Sequence, residues 1–184
     1  MLSFSNFTRQ YYSDVLLLAE NAFGANYLTE NDLNNYLSNS HQHSRIALFN
    51  HDFAGFSFYR FVKSDDLDDY FSSDSVKVIK ANFPNHELIC IRQQTAVIEK
   101  FRNKGIAEQL VGIGVEDAKQ KNAGIISIVW NSDGCMMKNV LLKHNFKVLA
   151  ELKNYWYADS LTKKYDCAVC GKPPCCCNAL LMGV

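Results

Sequence analysis

Five of the seven cysteines fall within eleven residues: Cys167, Cys170, Cys175, Cys176 and Cys177. Cys167-Ala-Val-Cys170-Gly171-Lys172 has the form of a zinc knuckle, with two thiolates two residues apart and then glycine for the tight turn. Pro173-Pro174 stiffens the return, and the cysteine trio offers the remaining ligands. Four thiolates around Zn²⁺ at about 2.3 Å make a closed, structural site with no open coordination position. Adjacent cysteines chelate one tetrahedral ion poorly, so Cys167, Cys170, Cys175 and Cys177 are the expected ligands. Pairs that use Cys176 with Cys175 or with Cys177 stay open as alternatives. A redox CxxC fits less well, because no thioredoxin-like strand and helix flank it.

A second chemistry-bearing stretch is Gln94-Thr95-Ala96-Val97-Ile98-Glu99-Lys100-Phe101-Arg102-Asn103-Lys104-Gly105-Ile106-Ala107. It reads as a strand, a short cationic loop and the start of a helix. The first turn of a helix has unpaired N–H groups and the positive end of the macrodipole, so it can receive a pyrophosphate. Gly105 lets the backbone approach an anion without a Cβ in the way, and Arg102 and Lys104 add positive charge. Neither the eight-residue Walker pattern nor GxGxxG is present, so P-loop and Rossmann readings lack support. Gly112 and Gly114 each cost the following helix about 1 kcal/mol relative to alanine, which close packing of that helix on a sheet would justify.

The elements that must hold these groups follow from hydrophobic periodicity. The first 45 residues read as mainly helical, with an apolar stretch over 15–22 that Asp14 helps to start, and a short helix over 30–37. Residues 45–49 and 53–62 read as strands around Asn50-His51-Asp52, and the acidic, Ser-rich 64–75 as a solvated loop. Then come a β-prone run over 88–98, an amphipathic helix over 106–122 and an apolar strand at Gly124–Trp130. A helix over 133–144 and strands over 146–152, 155–157 and 179–182 complete the series. Alternating strands and helices predict one α/β domain over residues 1–184, with a Cys-rich insertion over 159–178.

With Arg102, Gly105 and Ala107 matching Arg/Gln-x-x-Gly-x-Gly/Ala and Ala96-Val97 ahead of them, the chain resembles the GCN5-related N-acetyltransferase (GNAT) superfamily. The order of elements strengthens the likeness, as does Lys143-His144-Asn145-Phe146 where the family usually shows Lys-x-Gly-Phe. Trp156-Tyr157-Ala158-Asp159 and Ala179-Leu180-Leu181-Met182 are similar to the closing segments of the ribosomal-protein-alanine acetyltransferase type. The resemblance implies a mixed, splayed sheet flanked by helices, with acetyl-CoA between the fourth and fifth strands. It implies that main-chain groups at Ala96 and Val97 pair with pantetheine. The segment Arg102, Asn103, Lys104, Gly105, Ile106 and Ala107 would hold the pyrophosphate, with Asn131 near the family's asparagine. It also places the Cys segment between the last two strands, beside the acceptor, where a zinc-ordered loop would shape the substrate mouth or a protein contact.

Acetyl transfer to an amine needs a neutral nucleophile, a positioned thioester and a proton for the departing thiolate. Deprotonating a lysine with pKa ~10.4 at neutral pH costs about 4–5 kcal/mol, and an α-amine near 7.7–8 about 1 kcal/mol. Glu87, at the mouth of the strand before the cofactor motif, is the candidate base. The family's general-acid tyrosine corresponds to Leu141, and the fifth strand lacks the glutamate of the alanine acetyltransferase type. Tyr155 and Tyr157 are the nearest tyrosines on the late strand.

Nineteen basic and nineteen acidic residues leave a formal net charge of zero, which argues against a broad nucleic-acid or anionic-membrane footprint. No apolar run approaches the roughly 18 residues of a bilayer span, and no secretory signal pattern opens the chain. A cytoplasmic, reducing compartment is expected. The sequence therefore predicts an acetyl-CoA-dependent N-acetyltransferase acting on a primary amine of a small molecule or protein, with a structural Zn²⁺ and no nucleic-acid or membrane partner. The alternatives are an acetyl-CoA-binding module without catalysis and a zinc-knuckle interaction domain.

Overall fold

One sheet organises the chain. In the computed structural model, which describes residues 1–132 and 134–184, seven strands hydrogen-bond in the order β1-β2-β3-β4-β5-β7-β6. They are β1 (Leu2–Ser5), β2 (Gln42–Phe49), β3 (Asp52–Lys63), β4 (Leu88–Val97), β5 (Gly124–Trp130), β6 (Lys147–Leu152) and β7 (Ala179–Gly183). Only β4 and β5 pair in parallel, and their crossover carries α4 (Ile106–Gln120). Every other neighbouring pair is antiparallel. Phe49 pairs with Asp52, so the β2–β3 turn closes on Asn50 and His51, both at positive φ as a tight hairpin turn requires.

Helices cover both faces. α4 and α5 (Met136–Lys143) lie on one, where Tyr59, Cys90, Val111, Leu141 and Phe146 form a buried cluster. α4 buries Ile106, Leu110, Val111, Gly114 and Ala118, the stripe of an amphipathic helix. Gly112 faces α5, where an added Cβ would lie 3.2 Å from His144 Cε1, and Gly114 faces Tyr59 and Arg92 on the sheet. On the opposite face lie α1 (Tyr12–Phe23), α2 (Glu30–Ser38) and α3 (Ser73–Asn82). There Val15, Leu18, Leu33 and Tyr36 pack on Phe56 and Phe58, and Val76, Ile79 and Phe83 on Ile89 and Ile126. Thr29 and Asp32 close α2 with a reciprocal capping box. No helix among the described residues is long and apolar enough to cross a membrane.

The mixed α/β class stands, and four element assignments change. Leu2–Ser5 is an edge strand, too short to alternate visibly, and is held by its register with Phe49 through Ile46. Residues 64–75 hold a 3-10 turn over Ser64–Asp69 and the start of α3; the Val76, Ile79 and Phe83 spacing is its signal. The expected strand at 155–157 is a turn leading into α6 (Tyr157–Lys163), because β7 takes its partners from β6. The helix expected over 133–144 runs over Met136–Lys143, and Asp133 lies outside the described residues.

Candidate active site

The site begins where β4 and β5 part. They pair only from Ile89 with Gly124 to Arg92 with Ser127. Beyond that, β4 bends at a bulge: Tyr59 faces Arg92 and Phe58 faces Gln94, leaving Gln93 as the extra residue. Meanwhile β5 continues to Trp130 along β7. Residues 93–97 and 128–130 therefore diverge as a wedge, and their facing backbone groups lack a sheet partner across it.

A cavity of about 860 Å³ fills this wedge on the α4 side. Ala96 and Val97 line it, together with Arg102, Asn103, Gly105, Ile106 and Ala107 at the start of α4. Gly105 is the N-cap of α4 at φ 73°, without a side-chain cap, and Asn103 is also left-handed at φ 59°. The first turn of α4 thus lines the cavity with its amides uncapped by any side chain among the described residues, the usual arrangement for binding an anion. Arg102 Nε donates to the Val97 carbonyl at 3.3 Å, tying the loop to the strand end. Lys143 donates to Glu108 at 2.7 Å and holds that carboxyl below its ordinary pKa; the carboxylate stays charged, and the paired ammonium offsets its repulsion of an anion.

Other expected residues lie elsewhere. The Lys104 ammonium sits over the Phe49 ring at 5.5 Å and does not line the cavity. Asn131 donates to Glu151 at 3.0 Å, whereas Asn139 of α5 lines the cavity, a residue that spacing alone does not single out. Glu87 is exposed at the far end of β4, about 20 Å of strand from the wedge at 3.3 Å per residue. It lines neither large cavity; its carbonyl accepts from the Ser64 amide at 2.8 Å. Leu141 is fully buried under the sheet.

A second cavity, of about 950 Å³, opens on the α3 side between the 64–72 segment and the β6–α6 connection. Its wall carries Asp68, Asp69, Asp74, Glu151 and Asp159 with Tyr70, Tyr155 and Trp156. Burial pushes the Tyr155 phenol up to about 12, and Asp159 adds to the effect. Tyr157 is exposed outside both cavities.

The two cavities share Tyr27, Arg92, Gln93, Gln94, Ile128 and Trp156. A donor held in one and an acceptor held in the other would meet at these side chains. Among the described residues, Tyr27 and Arg92 are the titratable groups there. Burial raises the Tyr27 phenol well above its ordinary value, with Asp159 acting in the same direction. Arg92 is 4% exposed, donates to Thr95 Oγ1 at 2.7 Å and has no carboxylate partner among the described residues; burial lowers it to about 10. Tyr36 donates to the side chains of Gln93 and Gln94, fixing both amides beside the bulge.

The Cys segment forms the remaining wall, with Tyr165, Cys167, Val169 and Cys175 lining the first cavity. The Sγ atoms of Cys167, Cys170, Cys175 and Cys177 all lie within 4.8 Å of one another. Cys177 Sγ is 3.8 Å from both Cys167 Sγ and Cys170 Sγ. Sulfurs at the corners of a tetrahedron around Zn²⁺ at about 2.3 Å would be about 3.8 Å apart. Cys176 is exposed, with its thiol at the Pro174 carbonyl outside this group.

No family model matches the chain, and no curated protein matches it in sequence. Solved structures do match over the whole chain. Arabidopsis thaliana NAA60 in complex with a bisubstrate analogue superposes with a TM-score of 0.74 at 13% identity, covering 100% of this chain and 97% of that one. The same protein in complex with acetyl-CoA gives 0.72 at 15% identity, with 100% and 98% covered. The ribosomal-protein-S18-alanine N-acetyltransferase from Escherichia coli gives 0.68 at 11% identity, with 100% and 93% covered. A GNAT-family acetyltransferase from Streptococcus pneumoniae gives 0.65 at 14% identity, with 100% and 99% covered. At these identities the likeness is one of fold, and that fold is the GNAT fold.

Proposed function

We propose that the protein is an acetyl-CoA-dependent N-acetyltransferase that moves the acetyl group to a primary amine by direct attack in a ternary complex. The observation that carries this reading is the wedge, where a cavity ending at an uncapped helix N-terminus meets a second cavity from the other face of the sheet. The complexes of Arabidopsis thaliana NAA60 with acetyl-CoA and with a bisubstrate analogue support it by analogy of fold. Acetyl-CoA supplies the activated acyl group as a thioester. The first-turn amides of α4, with Arg102 beside them, hold its pyrophosphate, and the free backbone edge at Ala96 and Val97 pairs with the pantetheine amides.

Transfer forms one N–C bond and breaks one C–S bond; the nitrogen gives up a proton and the leaving sulfur takes one. Tyr27 is the hydroxyl donor that the junction offers. Burial keeps it a neutral phenol and a weaker acid than an ordinary tyrosine, so it serves by hydrogen-bonding to the leaving sulfur and yields its proton only as negative charge builds there. Arg92 stays protonated at neutral pH and stabilises negative charge as it develops at the junction. Among the described residues, no carboxylate stands with the six that both cavities share to act as a base. That favours an amine with pKa near 7.7–8, whose deprotonation costs about 1 kcal/mol, over a lysine at about 4–5 kcal/mol. Glu87 has no part in this scheme.

The four grouped thiolates fit Zn²⁺, which would be structural because they fill its coordination shell. A reducing compartment such as the cytoplasm suits that site. The lack of a carboxylate among the described junction residues favours one other reading, an acetyl-CoA-binding module without catalysis. Thermal unfolding with and without acetyl-CoA, followed by thiol release on a panel of amines, separates them. Protection with turnover supports the enzyme, protection without turnover on a broad panel supports the module, and no protection removes both.

A further inference from the structure

The Cys segment is joined to the α1–α2 connection by its backbone. The Asp166 amide donates to the Ala25 carbonyl at 2.9 Å, and the Ala168 amide donates to the Phe23 carbonyl at 3.0 Å. Cys167, one of the grouped thiols, is the residue between these two rungs. Gly24 faces them at φ 117°, where an added Cβ would lie 1.8 Å from the Asp166 carbonyl oxygen. The two backbones are therefore in direct contact, and only glycine permits it. Three residues beyond Gly24 stands Tyr27, with Phe23 on one side at 5.1 Å between ring centroids and Tyr165 edge-on at 5.0 Å.

The other end of the cluster is tied to the body of the domain. The Cys175 amide donates to Ser160 Oγ of α6 at 2.8 Å, and Ser160 is fully buried. The Tyr155 amide donates to the Cys177 carbonyl at 3.2 Å. Between these ties, the segment's own secondary structure is one isolated bridge, Cys167 with Gly171. A loop with so little internal pairing needs a cross-link to transmit position.

We infer that a metal ion bound by Cys167, Cys170, Cys175 and Cys177 is a strut that clasps the α1–α2 connection and so fixes Tyr27 where the two cavities meet. The ion joins the α6-anchored thiols to Cys167, and the rungs on either side of Cys167 carry that constraint to Phe23 and Ala25. The metal is thus a positioning device that touches neither substrate. The effect on turnover rests on reading the junction as the site of acetyl transfer, whereas metal content and amide exchange do not.

The test uses the full chain and three variants. The parent protein should hold one Zn²⁺, and Co²⁺ in its place should give the absorption bands of a tetrahedral tetrathiolate site. Cys170→Ala removes an exposed ligand; it should lose the metal and speed hydrogen exchange at the Asp166 and Ala168 amides at least about tenfold. Gly24→Ala should retain the metal yet open the same two amides. Both should lower kcat about 100-fold, the scale of a small misplacement of a reacting group, while acetyl-CoA still raises the melting temperature. Cys176→Ser should match the parent throughout. The inference is overturned if the parent binds neither Zn²⁺ nor Co²⁺ tetrahedrally, or if metal-free Cys170→Ala keeps both amides protected. Open amides with unchanged kcat would overturn the role at Tyr27. If no amine is turned over by the parent, exchange and metal content still decide the strut, and only the transfer reading fails.

Discussion

Replacing Gly105 by alanine separates backbone strain from ligand binding. Gly105 sits at φ 73°, and an added Cβ would meet nothing nearer than Gln109 Nε2 at 4.0 Å. The free protein therefore bears only the left-handed penalty, about 1–2 kcal/mol for an L-residue. For a chain of this size each kcal/mol lowers the melting temperature by roughly 2–4 °C, so a fall of about 2–8 °C is expected. Gly171 provides a matched control: it sits at φ 81° with no atom within 4 Å of where a Cβ would stand, so Gly171→Ala should lose similar stability. The variants should diverge once acetyl-CoA is added. A Cβ at 105 occupies the space through which a pyrophosphate reaches the first-turn amides, and a tenfold weaker Kd removes about 1.4 kcal/mol of binding free energy. Ligand-induced stabilisation grows with the logarithm of concentration over Kd, so it should shrink by that amount in Gly105→Ala alone. Thermal unfolding across a range of acetyl-CoA concentrations, with calorimetric titration, reads both effects. Equal stabilisation by acetyl-CoA in both variants and the parent would refute the assignment of this helix start as the pyrophosphate site.

Three further outcomes are expected. Tyr27→Phe should lower kcat about 10²- to 10⁴-fold, the usual worth of a general acid, with acetyl-CoA affinity retained in a calorimetric titration; an unchanged kcat would remove Tyr27 as proton donor. Leu141→Ala should destabilise the fold by about 2–5 kcal/mol in urea unfolding, because Leu141 is fully buried between α5 and the sheet. Lys143 depresses the Glu108 pKa, so their small mutual stabilisation is present above the ordinary carboxylate range and is lost as pH falls through the lowered value. Lys143→Met should return the Glu108 midpoint upward in an NMR titration.

The strand–loop–helix unit and the cysteine spacing are readable along the chain because both are local. An uncapped helix start depends on the few residues around Gly105, and the tight Cys-x-x-Cys turn on Cys167 through Gly171. Hydrophobic pattern carries β3, β4, β5 and α4 for the same reason, since α4 buries one regular stripe and the three central strands are apolar runs buried largely on both faces. It fails at β1 and at 155–157, where pairing with a distant strand decides the conformation. Glu87 stands out in the sequence as a carboxylate near the right strand, but strand length separates it from the wedge. Tyr27 does not stand out, because no local pattern marks it.

The sequence by itself determined the glycine turn that opens α4, the close spacing of the cysteines and the alternation of strands and helices that makes a mixed sheet. Tertiary structure alone decided where β4 and β5 part, which side chains line both cavities and which loop the Cys segment grips. These depend on contacts between residues far apart in the chain, such as Asp166 with Ala25 and Tyr165 with Tyr27. Closing such contacts is a property of the packed fold, and no residue's immediate neighbours record it.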